Sequence, residues 1–149
     1  MSIRSVAKSF YELSLDELYA ILKLRSEVFV VEQNCVFLDL DDKDQKCFHV
    51  MLFREEELVA YSRLVPAGLS YPEMAIGRVI TASSVRGTGL GKVLMVQSIA
   101  YCQQFFGPGD IRLGAQTYAL DFYKSLGFEP DGDVYDEDGI EHIEMVKRL

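Results

Sequence analysis

Three alternate glycines near the middle of the chain, Gly87, Gly89 and Gly91, separate a run of strand-forming residues from a run with helical spacing. A helix that begins on such a turn exposes backbone N–H groups that have no partner within the helix. These groups lie at the positive end of the helix dipole, where a phosphate binds readily. Arg86 and Lys92 add a positive charge on either side. This stretch therefore predicts a turn that binds the phosphates of a ligand.

The two common nucleotide motifs do not match this turn. The dinucleotide fingerprint G-x-G-x-x-G needs its third glycine one residue later than Gly91. The P-loop needs glycine where Arg86 stands, and it needs serine or threonine where Val93 follows Lys92. Neither motif is present, so the turn is expected to serve another phosphate-bearing ligand.

Two ordered motifs resemble those of the GNAT superfamily of acetyl-CoA-dependent N-acetyltransferases. The pyrophosphate loop R-x-x-G-x-G of that superfamily matches the segment from Arg86 to Gly91. The block F-Y-x-x-x-G-F, which follows the loop in the superfamily, matches Phe122–Phe128. The early run Leu24–Gln33 is similar to the ElaA-like branch. The resemblance covers nearly the whole chain and implies an N-acetyltransferase that uses acetyl-CoA.

The resemblance also implies which residues bind the cofactor. Family members separate the strand before the glycine turn from the next strand, and the thioester arm of the cofactor pairs with the exposed backbone. By position, Val79, Ile80 and Thr81 supply that backbone, and a nearby N–H is expected to polarise the thioester carbonyl. Gln116 stands where the family often has an asparagine that bonds the pantetheine, and it keeps both a donor and an acceptor. The residues expected around the pyrophosphate are Arg86, Gly87, Thr88, Gly89, Leu90, Gly91 and Lys92.

Transfer to an amine requires two proton movements, for which the chain offers candidates. A lysine-like amine has a pKa of about 10.4, so it must lose a proton before it attacks. Tyr123 matches the tyrosine of the F-Y block. In the family this tyrosine is commonly the general acid that protonates the departing thiolate, and the alternative role for Tyr123 is that of a core aromatic residue. Three alternatives are open for the general base: His142, Glu73, and a base that acts through water. Histidine has an unperturbed pKa of about 6.5, so it can accept a proton near pH 7. Glu73 precedes Arg86 at an interval similar to that of the catalytic glutamate in histone-acetylating relatives, but an exposed strand end explains it too. His49 is equally consistent with a packed residue.

The composition limits the partners and the compartment. The 149 residues carry 15 basic and 23 acidic side chains, a net charge of -8 that argues against nucleic acid as a partner. We find no signal peptide and no apolar run of the about 18 residues that a membrane helix needs, so we expect a cytoplasmic protein. Cys35, Cys47 and Cys102 are widely spaced and odd in number, which predicts buried reduced thiols and no metal site. With no composition shift or repeat, residues 1–149 are expected to form a single domain.

The first helix and the loop after it carry local signals. Ser14 and Glu17 form a capping box that starts the helix. Arg25 interrupts the apolar face of this helix, and pairing with a neighbouring carboxylate is favoured over contact with a substrate. The segment 32–46 contains four aspartates, Asp39, Asp41, Asp42 and Asp44. A solvated loop is their favoured role, a lip over the acceptor site is the alternative, and a calcium loop is excluded because the required glycine and glutamate are missing.

The remaining segments predict a mixed sheet. One hairpin is expected from Cys47–Phe53 with Leu58–Val65, and a second from Phe128–Tyr135 with Ile140–Lys147. A first strand is expected near Val6–Tyr11. The order of elements is then β, α, β, β, β, α, β, α, β, β. It predicts an α/β (α+β) fold with a mixed, mostly antiparallel sheet of about seven strands flanked by helices, as the GNAT resemblance also implies.

The expected function is the transfer of an acetyl group from acetyl-CoA to a primary amine, directly and without a metal or covalent intermediate. The negative surface favours a cationic amine, although solubility explains the charge as well. Two alternatives are open: a non-catalytic acyl-CoA-binding sensor, and an acyltransferase that takes longer acyl chains, as homoserine lactone synthases do. The acceptor is expected to be a small molecule or a peptide amine, bound in a pocket that is assembled from distant segments. A homodimer is common among similar proteins.

Overall fold

Within residues 2–149, which a computed structural model describes, eight strands form one sheet with helices on both faces. The strands are β1 (Ile3–Ser9), β2 (Phe48–Arg54), β3 (Glu57–Val65), β4 (Met74–Thr81), β5 (Ile111–Gln116), β6 (Glu129–Pro130), β7 (Tyr135–Glu137) and β8 (Ile140–Lys147). The helices are α1 (Leu15–Arg25), continued by a π-helical segment at Ser26–Glu32, α2 (Leu90–Phe106) and α3 (Leu120–Ser125). Short 3-10 turns lie at Phe10–Glu12, Asp44–Lys46, Ser83–Val85 and Thr117–Ala119.

The sheet is mixed and mostly antiparallel, as predicted. Its strands follow the order β1-β2-β3-β4-β5-β8-β6, with β7 as a further partner of β8, and β4 and β5 are the parallel neighbours. The predicted strand Phe128–Tyr135 is interrupted, which raises the number of strands from about seven to eight. Gly132 has a φ of +114° inside it, a value incompatible with an extended strand. Two short strands therefore pair with different parts of β8.

Alternate residues of the central strands pack on opposite faces of the sheet. Val50 and Leu52 of β2 join the core that includes Leu94 of α2, whereas Met51 and Phe53 join the core that includes the α1 residues. Hydrophobic burial at roughly 25 cal/mol per Å² stabilises both layers. The strand period of two in the sequence thus places α1 on one face and α2 on the other.

The predicted start of α1 is confirmed. The Glu17 N–H donates to the Ser14 hydroxyl at 3.0 Å, and the Ser14 N–H donates to the Glu17 carboxylate at 2.8 Å. The first strand, expected near Val6–Tyr11, instead spans Ile3–Ser9, because a 3-10 turn with its own capping box begins after Ser9. The three cysteines are free and buried, as predicted.

The parallel pair β4 and β5 separates soon after it begins. The two strands pair at Met74 with Ile111 and at Ala75 with Arg112, and the described part of the chain contains no further pair between them. From Ile76 onward, the edge of β4 that faces β5 therefore has no strand partner. This divergence opens a cleft between the two strands.

None of the helices in residues 2–149 is long and apolar enough to cross a membrane.

Candidate active site

The cleft between β4 and β5 has a volume of about 830 Å³. One side is formed by the second half of β4, including Val79, Ile80 and Thr81, which were predicted from the sequence. The other predicted residues that line it are Arg86, Gln116, Tyr123 and His142. The tertiary structure therefore brings together residues from five elements: β4, the turn that contains Arg86, β5, α3 and β8.

The glycine turn, residues Arg86–Lys92, adjoins the cleft at the end of β4. Gly87 and Gly89 have φ values of +80° and +83°, in the left-handed region that favours glycine. Gly89 is the N-cap of α2 and makes no side-chain cap, so the first N–H groups of the helix are free to bind a ligand. The Leu90 side chain is 4% exposed and anchors the turn in the core. The Thr88 hydroxyl donates to the Val85 carbonyl at 2.5 Å and stabilises the turn.

The two cations of the glycine turn differ in their surroundings. The Arg86 guanidinium donates to the carboxylate of Glu32, with Nη2 to Oε2 at 2.7 Å, and to the Thr81 carbonyl at 3.1 Å. A hydrogen bond from Arg86 lowers the pKa of Glu32. Lys92 is exposed and borders a second, shallow depression of about 300 Å³ beside Gly89. Arg86 is thus held at the cleft by a carboxylate, whereas Lys92 is exposed to solvent on the first turn of α2.

Strand β4 contains a bulge in the middle of the cleft. Its pairing with β3 shifts between Arg63, which faces Gly77, and Tyr61, which faces Ile80. Arg78 lies in this shift with a φ of +49°, a left-handed conformation that costs a non-glycine residue roughly 1–2 kcal/mol. The sequence prediction missed the bulge, although an isolated glycine inside a strand, here Gly77, is its usual signal.

Tyr123 and His142 line the cleft from two different elements. Burial raises the pKa of Tyr123 to about 12, so its hydroxyl stays protonated at neutral pH. Nδ1 of His142 donates to the Ile140 carbonyl at 2.8 Å, which leaves the lone pair of the neutral ring on Nε2. That Nε2 lies 3.4 Å from a carboxylate oxygen of Glu137. His142 also stacks on Tyr135, with ring centroids 5.8 Å apart.

The other two predicted polar residues differ in their relation to the cleft. Gln116 ends β5 at the open end, where its side-chain amide contacts that of Gln33 at 3.4–3.5 Å. Glu73 directly precedes β4, near the closed end of the cleft. The described residues that line the cleft do not include it. Arg112 donates two hydrogen bonds to Glu73, at 2.9 and 3.1 Å, and lowers the pKa of its carboxylate. The structure therefore does not bring Glu73 together with Tyr123 and His142.

Comparison with known proteins decides the family. A family model described as "Acetyltransferase (GNAT) domain" matches residues 27–149. The chain belongs to the GNAT acetyltransferase family. It is 41% identical over 140 residues to the protein ElaA of Escherichia coli K12, covering 93% of this chain and 92% of ElaA. The predicted resemblance to the ElaA-like branch is thereby confirmed.

Solved structures agree with this GNAT assignment. The crystal structure of Escherichia coli ElaA has a TM-score of 0.93 at 38% identity, covering 99% of this chain and all of that chain. An acyl-CoA N-acyltransferase from Pseudomonas aeruginosa has a TM-score of 0.93 at 36% identity, covering 98% and 99%. The acyl-homoserine lactone synthase LasI has a TM-score of 0.79 at 11% identity, covering 99% and 90%, which shows a shared fold alone. The family implies a CoA derivative as the acyl donor of this GNAT protein.

Two aspartates that were predicted to be solvated are instead buried beside this GNAT cleft. Asp39 and Asp44 are 7% and 6% exposed. Arg25, which is fully buried, donates from Nε to Asp39 and from Nη1 to Asp44, each at 2.8 Å. The predicted structural pairing of Arg25 is confirmed, whereas the solvated loop is wrong for these two carboxylates. A buried guanidinium needs a carboxylate partner, and only the folded chain brings the two together.

Two further arginines complete this network. Arg63 donates to both oxygens of Asp41 at 2.7 Å and to Asp44 at 2.9 Å. Burial opposes the ionisation of Asp41, but hydrogen bonds from Arg63 and the charge of Arg78 outweigh it and hold the pKa of Asp41 well below its usual range. Arg78 donates to the carboxylate of Asp39 at 2.8 Å and to its carbonyl at 2.9 Å, which anchors the β4 bulge. We call this set the ion-pair wall: Arg25, Asp39, Asp41, Asp44, Arg63 and Arg78.

His49, for which a packed role was one of the open alternatives, makes its contacts behind this wall. Its Nε2 donates to the Asp44 carbonyl at 2.9 Å, so Nδ1 accepts from the Tyr61 hydroxyl at 2.6 Å. Burial lowers the pKa of His49 and favours the neutral ring. Both nitrogens are thus used within the core.

Proposed function

We propose that this chain transfers an acetyl group from acetyl-CoA to a primary amine within a ternary complex. One observation carries the proposal: two unpaired backbone surfaces meet at the open end of the cleft. The first is the N-terminus of α2 on the glycine turn, which suits a diphosphate. The second is the edge of β4 beyond Ala75, which suits an extended ligand with amide groups.

The residues at this end fit coenzyme A. A Cβ added at Gly87 or Gly89 would meet no atom within 4 Å, so space is open on the surface of the turn. A Cβ on Gly91 would lie 3.9 Å from the Thr81 side chain, which shows how closely the turn adjoins the cleft. Lys92 supplies an exposed ammonium, and Arg86 keeps its Nε–H and one Nη1–H outside the bonds that hold it.

Acetyl-CoA, when bound, supplies an activated acetyl group as a thioester. We assign the base to His142, because its Nε2 carries the lone pair and the residue lines the same cleft as Tyr123. His142 takes one proton from the incoming ammonium, so that the nitrogen can attack. The C–N bond forms as the C–S bond breaks, and Tyr123 gives its proton to the sulfur. The second proton of the nitrogen restores the tyrosine, and one proton in all is released to solvent.

Replacing Gly89 by alanine tests the phosphate site, with Gly107→Ala at the other end of α2 as the matched control. Both glycines have positive φ, and an added Cβ meets nothing within 4 Å at either. Each variant should lose about 1 kcal/mol of stability or more, because an L-residue is strained there. We expect Gly89→Ala alone to weaken the binding of coenzyme A, by about 10-fold or more in isothermal titration, since the turn N–H groups are redirected or blocked.

The outcomes separate the alternatives. Failure of the wild-type protein to bind coenzyme A would reject the proposal, as would equal affinity in the Gly89→Ala variant. Saturable binding without transfer to any amine in a broad panel would indicate a sensor. Preference for a longer acyl-CoA in competition would indicate a different acyl donor.

A further inference from the structure

The cleft contains a cation that the ion-pair wall leaves without a counter-charge. Lys43 lines the cleft, and its Nζ donates to the Ser70 hydroxyl at 3.1 Å. Within residues 2–149, no carboxylate oxygen lies within 4 Å of this ammonium. Arg63, which lines the same cleft, also keeps a buried Nε–H without a hydrogen-bond partner. Since Arg63 is already paired with Asp41 and Asp44, the charge that this side of the cleft offers to a ligand is the ammonium of Lys43.

Another side of the cleft, formed by the hairpin of β7 and β8, carries the carboxylate of Glu137. Its side chain is 60% exposed, and one of its oxygens lies 3.4 Å from Nε2 of His142. The hairpin that carries both residues is tied to the segment before Lys43, because the Cys35 thiol donates to the Asp138 carbonyl at 3.3 Å. The negative charge and the base thus face the same cleft as Lys43.

Gly114 of β5 lies in the floor of the cleft beneath the hydroxyls of Tyr135 and Tyr71. A Cβ at this position would lie 2.8 Å from the Tyr135 hydroxyl and 3.6 Å from the Tyr71 hydroxyl. A side chain at Gly114 would therefore displace the Tyr135 hydroxyl, so the glycine allows the two hydroxyls to converge. Tyr71 directly follows Ser70, the partner of Lys43, and Tyr135 stacks on His142. The floor of the cleft thus connects the cationic side to the anionic side with polar groups.

We propose that the acceptor amine also bears a carboxylate, which Lys43 binds while the ammonium group lies against Glu137 and His142. This inference rests on the proposed acetyl transfer and names the class of its acceptor. An amino acid type of ligand places opposite charges against Lys43 and Glu137, whereas a polyamine would place a second ammonium against Lys43. The net charge of -8 favours cationic ligands at long range, but screening over about 8 Å leaves the local pairs in control.

The test compares 5-aminovalerate with 5-aminovaleramide, two probes that differ in charge at one end and share the same primary amine. A length series from glycine to 6-aminohexanoate, each paired with its amide, finds the separation that the cleft accepts. We expect at least one acid to exceed its amide by about 10- to 100-fold in kcat/KM, as for a charge-assisted hydrogen bond. Lys43→Met should abolish that preference, mainly through KM, and Lys43→Glu should reverse it in favour of 1,5-diaminopentane.

Lys46→Met is the matched control, because Lys46 is exposed, lies three residues away and is not among the cleft residues. It should keep the preference of the wild type. Equal rates with every acid and its amide, or a preference that survives Lys43→Met, would overturn the inference while the acetyl transfer itself stands. Absence of transfer to any probe, together with no binding of coenzyme A, would reject the proposed function and this inference with it.

Discussion

The glycine turn and the ion-pair wall border one cleft, but they are built in different ways. The glycine turn offers backbone N–H groups from a single short segment, and its glycines serve mainly to keep side chains out of the way. The ion-pair wall consists of side chains from α1, the segment before β2, and the strands β3 and β4. A backbone site needs the right local conformation, whereas a side-chain wall needs several distant elements to fold first.

The two regions are therefore expected to respond differently to substitution. A substitution in the glycine turn is expected to affect binding of the acyl donor more than it affects folding, because the turn is at the surface. A substitution in the ion-pair wall leaves a buried charge without its partner, and that costs stability before it affects chemistry. The following three variants probe this contrast.

Replacing Arg25 by methionine should have the largest effect on stability. The guanidinium is fully buried, and its removal leaves Asp39 and Asp44 each short of a partner. We expect a loss of about 3–5 kcal/mol in the free energy of unfolding, measured with urea. Lys23→Met, on the exposed face of the same helix, should change it by less than about 0.5 kcal/mol. A loss below about 1 kcal/mol for Arg25→Met would mean that the wall does not stabilise the fold.

Replacing Tyr123 by phenylalanine should act on chemistry and leave both regions intact. If its hydroxyl protonates the thiolate, turnover should fall by about 100-fold, equivalent to about 2.7 kcal/mol, with the affinity for coenzyme A unchanged. Because burial raises the pKa of Tyr123 to about 12, wild-type turnover should show no loss from its ionisation between pH 7 and 9. Unchanged turnover in the variant would remove Tyr123 from the mechanism.

The smallest effect is expected from a comparison of Arg78→Ala with Arg78→Gly. Both variants lose the ion pair with Asp39, so the difference between them isolates the backbone of the bulge. Since φ is +49° at this position, the glycine variant should be more stable by about 1–2 kcal/mol in urea unfolding. Equal stability of the two variants would show that the bulge relaxes once its anchor is gone.

The free energy of unfolding, measured over a pH series, also reports on the ion-pair wall. The pKa of Asp44 is lowered in the folded protein, because hydrogen bonds and charges from Arg25 and Arg63 outweigh the effect of burial. A carboxyl group with a lowered pKa contributes stability above its unfolded pKa, about 3.9, and loses it as the pH falls further. The acid side of the stability profile therefore reports on the ion-pair wall.

Much of the fold follows from local rules that the sequence displays. The capping box of Ser14 and Glu17, the first hairpin, and the alternation of Val50 and Met51 between two cores all depend on neighbouring residues. The glycine turn belongs to the same class, because φ at Gly89 is set by the residue itself and by the helix it starts. Such features are visible in the sequence since the residues that cause them lie within a few positions of each other.

The tertiary structure alone decided the composition of the cleft walls. No local pattern pairs Arg25 with Asp39 and Asp44, and the pairing buries these two aspartates in a loop that was predicted to be solvated. Likewise, Glu73 became a partner of Arg112, while Lys43 came to line the cleft. The physical reason is that the charge of a side chain can be read from its type, whereas its partner depends on which distant segments the sheet brings within hydrogen-bond distance.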